Sequence, residues 1–139
     1  MKSPHLLQVE EGPERFAGLI EAARALGLRV GWLDLATPAP PLEGLETAAS
    51  LGVLRAVSVA GGRSVAVKPL RGQPVLRDLL REHFQGCVLV LVRGPVEAPR
   101  LSPGEGGWEV KVGEEAARRF DSAGLAAALR KPRPWPLTS

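Results

Sequence analysis

The longest uninterrupted apolar stretch of the chain spans residues 87–92, with the sequence CVLVLV. A strand with one wet face alternates apolar and polar side chains, whereas this stretch contains no polar side chain. We therefore predict a strand that is buried on both faces and lies centrally in a mostly parallel sheet. The other elements of the chain are expected to cover it.

Strand and helix patterns alternate before this central strand. Residues 6–9 and 29–35 predict strands, and residues 16–26 carry apolar side chains at the three- and four-residue spacing of a helix with one buried face. A weaker helix is predicted over 42–51 and another over 75–84. Strand–helix–strand order favours parallel pairing through right-handed crossovers.

Two segments rich in β-branched residues flank a Gly-Gly pair. Residues 55–59 and 64–68 are separated by the sequence AGGR, which predicts a hairpin with a tight turn. We expect this hairpin to add an antiparallel member to the sheet, with Val65 and Val67 facing inward.

The pattern changes after residue 93. Segments 99–101 and 107–112 flank a turn-rich cluster, and the second alternates apolar and polar residues, so it predicts a strand with one wet face. Residues 114–120 fit a helix or a returning strand, and we favour a short strand over 118–120. Asp121 and Ser122 are good N-cap residues for a last helix.

These elements predict an α/β fold. We expect a single three-layer-like domain over residues 1–130, with a mixed, mostly parallel sheet of about five to seven strands. Residues 94–130 form a small antiparallel C-terminal extension with a closing helix. Residues 131–139 form a Pro-rich basic tail.

Composition changes this picture little. The 139 residues are 45% hydrophobic and 24% charged, which is typical of a globular domain rather than a disordered chain. Cys87 is the only cysteine, so an internal disulfide and a Cys-rich zinc site are excluded. The sequence has no run of roughly 20 apolar residues that could span a membrane and no apolar leader. We expect a cytoplasmic protein without a membrane partner and without a cofactor.

The formal net charge of +3 comes mainly from arginines spread along the chain. A nucleic-acid-binding protein usually concentrates its positive charge on one face. An ordinary solvated surface is therefore the preferred interpretation, and nucleic-acid binding is kept as an alternative.

The first predicted strand, turn and helix resemble the opening segment of P-loop and Rossmann folds, and Asp34 ends the second strand where the Rossmann acid holds a ribose. Neither GxxxxGK[ST] nor GxGxxG occurs in the sequence. Glu10, Glu11 and Glu14 in the turn would repel a phosphate. The resemblance therefore implies a fold and not a nucleotide site.

Three cations follow two of the predicted strands. Lys68 and Arg71 come after the fourth strand and Arg93 after the fifth. If these strands are parallel neighbours, the three side chains share one sheet edge and could bind a carboxylate, a phosphate or an acidic partner surface. Scattered surface cations are the preferred interpretation, and among the candidate small-ligand sites this cluster is the one we favour.

Carboxylates offer a weaker candidate for a metal site. Glu10, Glu11 and Asp34 could converge at one end of the sheet, and three carboxylates can bind a hard divalent cation. Solvated loop carboxylates are the preferred interpretation, so no metal is predicted.

The tail offers a candidate partner anchor. Trp135 lies between prolines, close to Arg133, and an exposed aromatic beside an arginine is a common interface anchor. The alternative is that Trp135 folds back on the domain.

No set of residues forms a recognisable catalytic constellation. We therefore predict a non-catalytic binding or regulatory module that recruits a partner protein. The alternatives are a small anion- or nucleotide-binding enzyme on a degenerate P-loop-like or Rossmann-like scaffold, and a nucleic-acid accessory protein. An exposed edge of the C-terminal extension could also form a homodimer.

Overall fold

The computed structural model describes residues 4–35, 47–48, 51, 53, 56–67 and 75–135. The chain divides into two compact units, one comprising Met1–Thr37 and Leu80–Ser139 and the other Pro38–Leu79. The strands are β1 His5–Val9, β2 Val30–Asp34, β3 Ala56–Ala60, β4 Arg63–Val67, β5 Leu89–Arg93, β6 Arg100–Gly104, β7 Gly107–Lys111 and β8 Arg118–Phe120. The α-helices are α1 Ala17–Ala25, α2 Leu76–His83 and α3 Ser122–Ala128, and a 3₁₀ turn over Pro13–Phe16 leads into α1.

Six strands form one mixed sheet in the order β2-β5-β1-β6-β7-β8. Strands β2, β5, β1 and β6 pair in parallel, and β6, β7 and β8 pair antiparallel. The predicted α/β fold with a mixed sheet is therefore confirmed.

Strand β5 lies inside the sheet, with parallel neighbours β1 and β2 on its two sides. Its residues Leu89 to Val92 are all fully buried, although successive side chains point to opposite faces. Both faces of β5 are therefore covered, as the unbroken apolar run predicts.

One face of the sheet forms the main core. Phe16 and Leu19 pack with Leu125 on this face, and α1 packs against α3. The Phe16 ring stacks on Trp108, with 5.5 Å between ring centroids. The indole Nε1 of Trp108 donates a hydrogen bond to Ser122 Oγ at 2.9 Å, so the polar atom of this buried ring has a partner.

Strands β3 and β4 form a sheet of their own. Gly61 and Gly62 turn the chain with φ of +59° and +76°, and a tight hairpin turn of this kind needs positive φ at both central residues. The predicted hairpin is confirmed, but its placement in the main sheet is wrong. The two strands of a hairpin pair with each other, so they need no partner from the main sheet. In that sheet β1 and β2 already lie on the two sides of β5.

The short strand favoured over 118–120 is present as β8. The helix predicted over 42–51 falls largely outside the described residues, although Thr47 and Ala48 are helical. Within the described ranges, no helix is long and apolar enough to cross a membrane.

Candidate functional site

The carboxyl ends of three parallel strands meet at one edge of the six-stranded sheet. Val9 of β1 and Asp34 of β2 both align with Arg93 of β5. Arg93 Nη1 lies 3.9 Å from Asp34 Oδ2, and both side chains are about one-third exposed. Next to this pair, Gln8 Nε2 donates a hydrogen bond to the Gly94 carbonyl oxygen at 2.8 Å.

The Arg93–Asp34 separation is longer than the 2.7–2.9 Å of a strong charge-assisted hydrogen bond. The carboxylate nevertheless offsets much of the positive charge at this edge. An anion that binds Arg93 must therefore compete with Asp34, which weakens Arg93 as an anion site.

The other two members of the predicted cationic cluster, Lys68 and Arg71, lie outside the described residues. Their role stays a prediction. The condition under which the three cations would share an edge, that β4 and β5 are parallel neighbours, is not met, because β5 lies between β1 and β2 while β4 pairs with β3.

Each carboxylate of the weak metal candidate has an arginine partner. Glu10 pairs with Arg100, the first residue of β6, and Glu11 pairs with Arg15 at 3.0 Å. Asp34 pairs with Arg93, as described above. In the part of the chain that the structure describes, no group of three or more histidine, cysteine or acidic residues could hold a metal ion. Glu10, Glu11 and Asp34 therefore do not form such a group.

Trp135 packs against the domain. Only 9% of its surface is exposed, and it belongs to the same buried cluster as Leu7. Its ring meets that of His5 edge-on, with 5.9 Å between centroids. Arg133 remains exposed. Trp135 is therefore not an exposed anchor. The tail folds back on the domain at this residue.

The hairpin presents a surface that sequence reasoning missed. The β3–β4 register places Val57 opposite Ala66 and Val59 opposite Ser64, so these four residues share one face. Val57 is 55% exposed and Val59 75% exposed, and Ala66 and Ser64 are also exposed. Val65, on the other face, is 45% exposed and does not face inward as expected. We call the face of Val57, Val59, Ser64 and Ala66 the hairpin face.

The hairpin also presents an open backbone edge. Ala60 and Arg63 flank the two-residue turn and pair directly. In a hairpin of this type the flanking pair exchanges its backbone hydrogen bonds, and bonded and non-bonded pairs then alternate along the strand. The N–H and C=O groups of Val57 and Val59 therefore point away from β4. Among the described residues, no strand pairs with this outer edge of β3.

The exposed large apolar side chains are concentrated in one segment. Among the described residues they are Leu51, Val53, Val57, Val59, Val65 and Val75. All of them lie between residues 51 and 75, within the unit Pro38–Leu79. Of these residues, Val57 and Val59 share the hairpin face, whereas single exposed apolar residues such as Val75 are ordinary.

The sequence matches no protein-family model and no curated protein.

Proposed function

We propose that the protein is a non-catalytic binding module that recruits a partner polypeptide through the β3–β4 hairpin. The partner contributes an extended segment that pairs with the outer edge of β3 and covers the hairpin face. The observation that carries this proposal is the exposure of Val57 and Val59, at 55% and 75%, on a strand whose outer edge is unpaired among the described residues.

The composition of β3 supports strand addition. Its sequence, AVSVA, contains no charged residue and no proline. Natural edge strands are usually protected by lysine, by proline, by a bulge or by a covering element. An unprotected, β-branched edge is the geometry that strand-adding peptide complexes use, in which backbone hydrogen bonds supply affinity and alternate side chains supply specificity.

The chemistry of the hairpin face defines the partner segment. Val57, Val59, Ser64 and Ala66 carry no charge, so a charged side chain placed against them would be desolvated without a partner. The partner segment is therefore extended, about as long as β3, and apolar at alternate positions.

The proposal includes the layering and location of the module. Burial of both faces of β5 supports a sheet that lies between two covering layers, with β6 to β8 and α3 as an antiparallel C-terminal extension. The proposed location is the cytoplasm, where the free thiol of Cys87 would stay reduced.

Peptide display tests the proposal without a known partner. A library of random linear peptides is selected on the immobilised full chain, and selected peptides are then titrated against the wild type, Val59→Lys and Val75→Lys. Val75 is the matched control, because it is an exposed valine at 52% and lies outside the hairpin. We expect peptides with alternating β-branched residues whose affinity falls at least tenfold in Val59→Lys, about 1.4 kcal/mol, and is unchanged in Val75→Lys.

Two results would overturn the proposal. The first is a set of selected peptides that bind Val59→Lys as well as the wild type, since another surface would then be the binding site. The second is concentration-dependent self-association of the wild type that Val59→Lys abolishes. In that case the hairpin is an interface between copies of this chain and does not recruit a different partner.

A further inference from the structure

A second candidate site lies at the opposite edge of the six-stranded sheet. A cavity of about 590 Å³ opens where the parallel strands begin, next to His5 of β1, Leu28 before β2 and Val88 before β5. The Arg93–Asp34 pair lies at the carboxyl ends of the same strands. The cavity is therefore distinct from the edge where the sequence placed its candidate anion site.

The walls of the cavity are largely apolar. Leu28 and Val88 line its strand side, and Leu129 and Pro132 line the side that follows α3. A volume of about 590 Å³ falls within the range of small-molecule sites, which are typically apolar pockets with a few polar groups that orient the ligand. Apolar walls of this size favour a ligand with a hydrocarbon body.

Two of the residues that line the cavity are basic. Arg130 and Lys131 lie on its rim and are exposed. Arg130 Nη2 donates a hydrogen bond to the Leu26 carbonyl oxygen at 3.1 Å, which orients its guanidinium group. None of the described residues that line the cavity is acidic. An anionic group at the mouth would therefore meet two cations and no competing carboxylate.

Cys87 also lines the cavity. Burial raises the pKa of its thiol, and the positive charge of Arg29 offsets part of that rise.

We propose that this cavity binds a small amphiphilic anion of the medium-chain carboxylate class. The hydrocarbon chain packs against Leu28, Val88 and Leu129, and the carboxylate lies between Arg130 and Lys131. The cavity and the hairpin face share no residue, and this proposal does not depend on partner recruitment.

Cys87 provides a direct readout of occupancy. It is the only cysteine of the chain and it lines the cavity. The alkylation rate of Cys87 by N-ethylmaleimide is measured in the full chain at mildly alkaline pH, with decanoate, with decyltrimethylammonium or without addition. The two probes have unbranched alkyl tails of nearly equal length and opposite charge. We expect saturating decanoate to slow alkylation at least fivefold and the cationic probe to leave the rate unchanged.

Charge variants test the role of the rim. The double change Arg130→Gln with Lys131→Gln is expected to raise the decanoate concentration for half-maximal protection about tenfold, because charge-assisted contacts are lost. Arg118→Gln is the matched control, since Arg118 is an exposed arginine of β8 that does not line the cavity. It should leave protection unchanged.

Three outcomes would overturn the proposal. An unchanged alkylation rate with decanoate, together with no heat of binding in calorimetry, would exclude the site. Equal protection by decyltrimethylammonium would show that the rim charges do not select an anion. Equal loss of protection in Arg118→Gln would show that net charge, and not the rim, is responsible.

Discussion

Replacement of Gly31 by alanine should destabilise the protein through one specific contact. A Cβ atom at Gly31, the second residue of β2, would lie 2.5 Å from Phe84 Cδ1, 2.8 Å from Phe84 Cε1 and 3.2 Å from Cys87 Sγ. Carbon atoms pack at about 3.5–4.0 Å, so the Phe84 ring must move. Because Gly31 has no Cβ atom, the Phe84 ring can occupy this space.

The magnitude follows from two opposing effects. Overpacking a well-packed site costs about 1–3 kcal/mol. Alanine also reduces the conformational entropy of the unfolded chain, which returns about 0.4–1 kcal/mol. We expect Gly31→Ala to lower the free energy of unfolding by about 1–2 kcal/mol and the Tm by roughly 3–8 °C.

A double-mutant cycle in urea measures the contact itself. In a Phe84→Ala background the ring is absent, so Gly31→Ala should be neutral or slightly stabilising, with a coupling energy of about 1–2 kcal/mol. Gly18→Ala is the control. A Cβ there would meet only Ser122 Oγ at 3.4 Å, and alanine favours the helix interior, so this change should stabilise α1. An equal cost of Gly31→Ala with and without the Phe84 ring would refute the reasoning.

Three further predictions concern single polar groups. Ser122→Ala leaves the Trp108 Nε1–H without its acceptor in a ring that is 7% exposed, and should cost about 1–3 kcal/mol in urea unfolding; an unchanged midpoint would contradict the role of this bond. Asp121→Ala removes the N-cap bond that the Gly124 amide donates at 2.6 Å, and should cost about 1 kcal/mol, whereas Asp121→Asn should cost much less; equal costs would refute the cap. Burial raises the pKa of Cys87 above its ordinary value of 9.0, so the unfolded chain loses this proton at a lower pH than the folded chain, and stability falls as pH rises above that value. The free energy of unfolding of Cys87→Ala, measured in urea at a series of alkaline pH values, should not show this decrease. Free energies of unfolding that change in parallel with pH for the two proteins would contradict the raised pKa.

The central strand and α1 could be predicted because their patterns are local. An apolar run without a polar residue requires cover on both faces, and residues 89–92 are buried accordingly. The spacing of Phe16 and Leu19 identifies the buried face of the first helical segment, and both residues are fully buried. These inferences need no information about which strands are neighbours.

Strand order could not be predicted because it is not a local property. The apolar residues of β1 and β2 are equally suited to lie next to β5. No periodicity in the sequence indicates that β5 lies between these two strands. The argument that Lys68, Arg71 and Arg93 share an edge depended on this order. For the same reason, the long-range ion pair of Glu10 with Arg100 and that of Asp34 with Arg93 were not anticipated.

The hairpin face illustrates a second limit. Alternation within β3 and β4 shows which side chains share a face, but the same alternation occurs whether or not another element covers that face. Val65 was therefore expected to face inward, whereas it is 45% exposed. The cavity beside Cys87 was missed because its lining comes from segments far apart in the sequence.

Amide hydrogen exchange of β3 tests the proposed docking edge most directly. Exchange is followed by NMR for the full chain, free and saturated with a peptide selected by display. The account predicts that the amides of Val57 and Val59, which point away from β4, exchange much more slowly in the complex. The outer edges of β2 and β8 should be unaffected. Unchanged exchange at Val57 and Val59, with protection at β2 or β8 instead, would contradict docking at the hairpin.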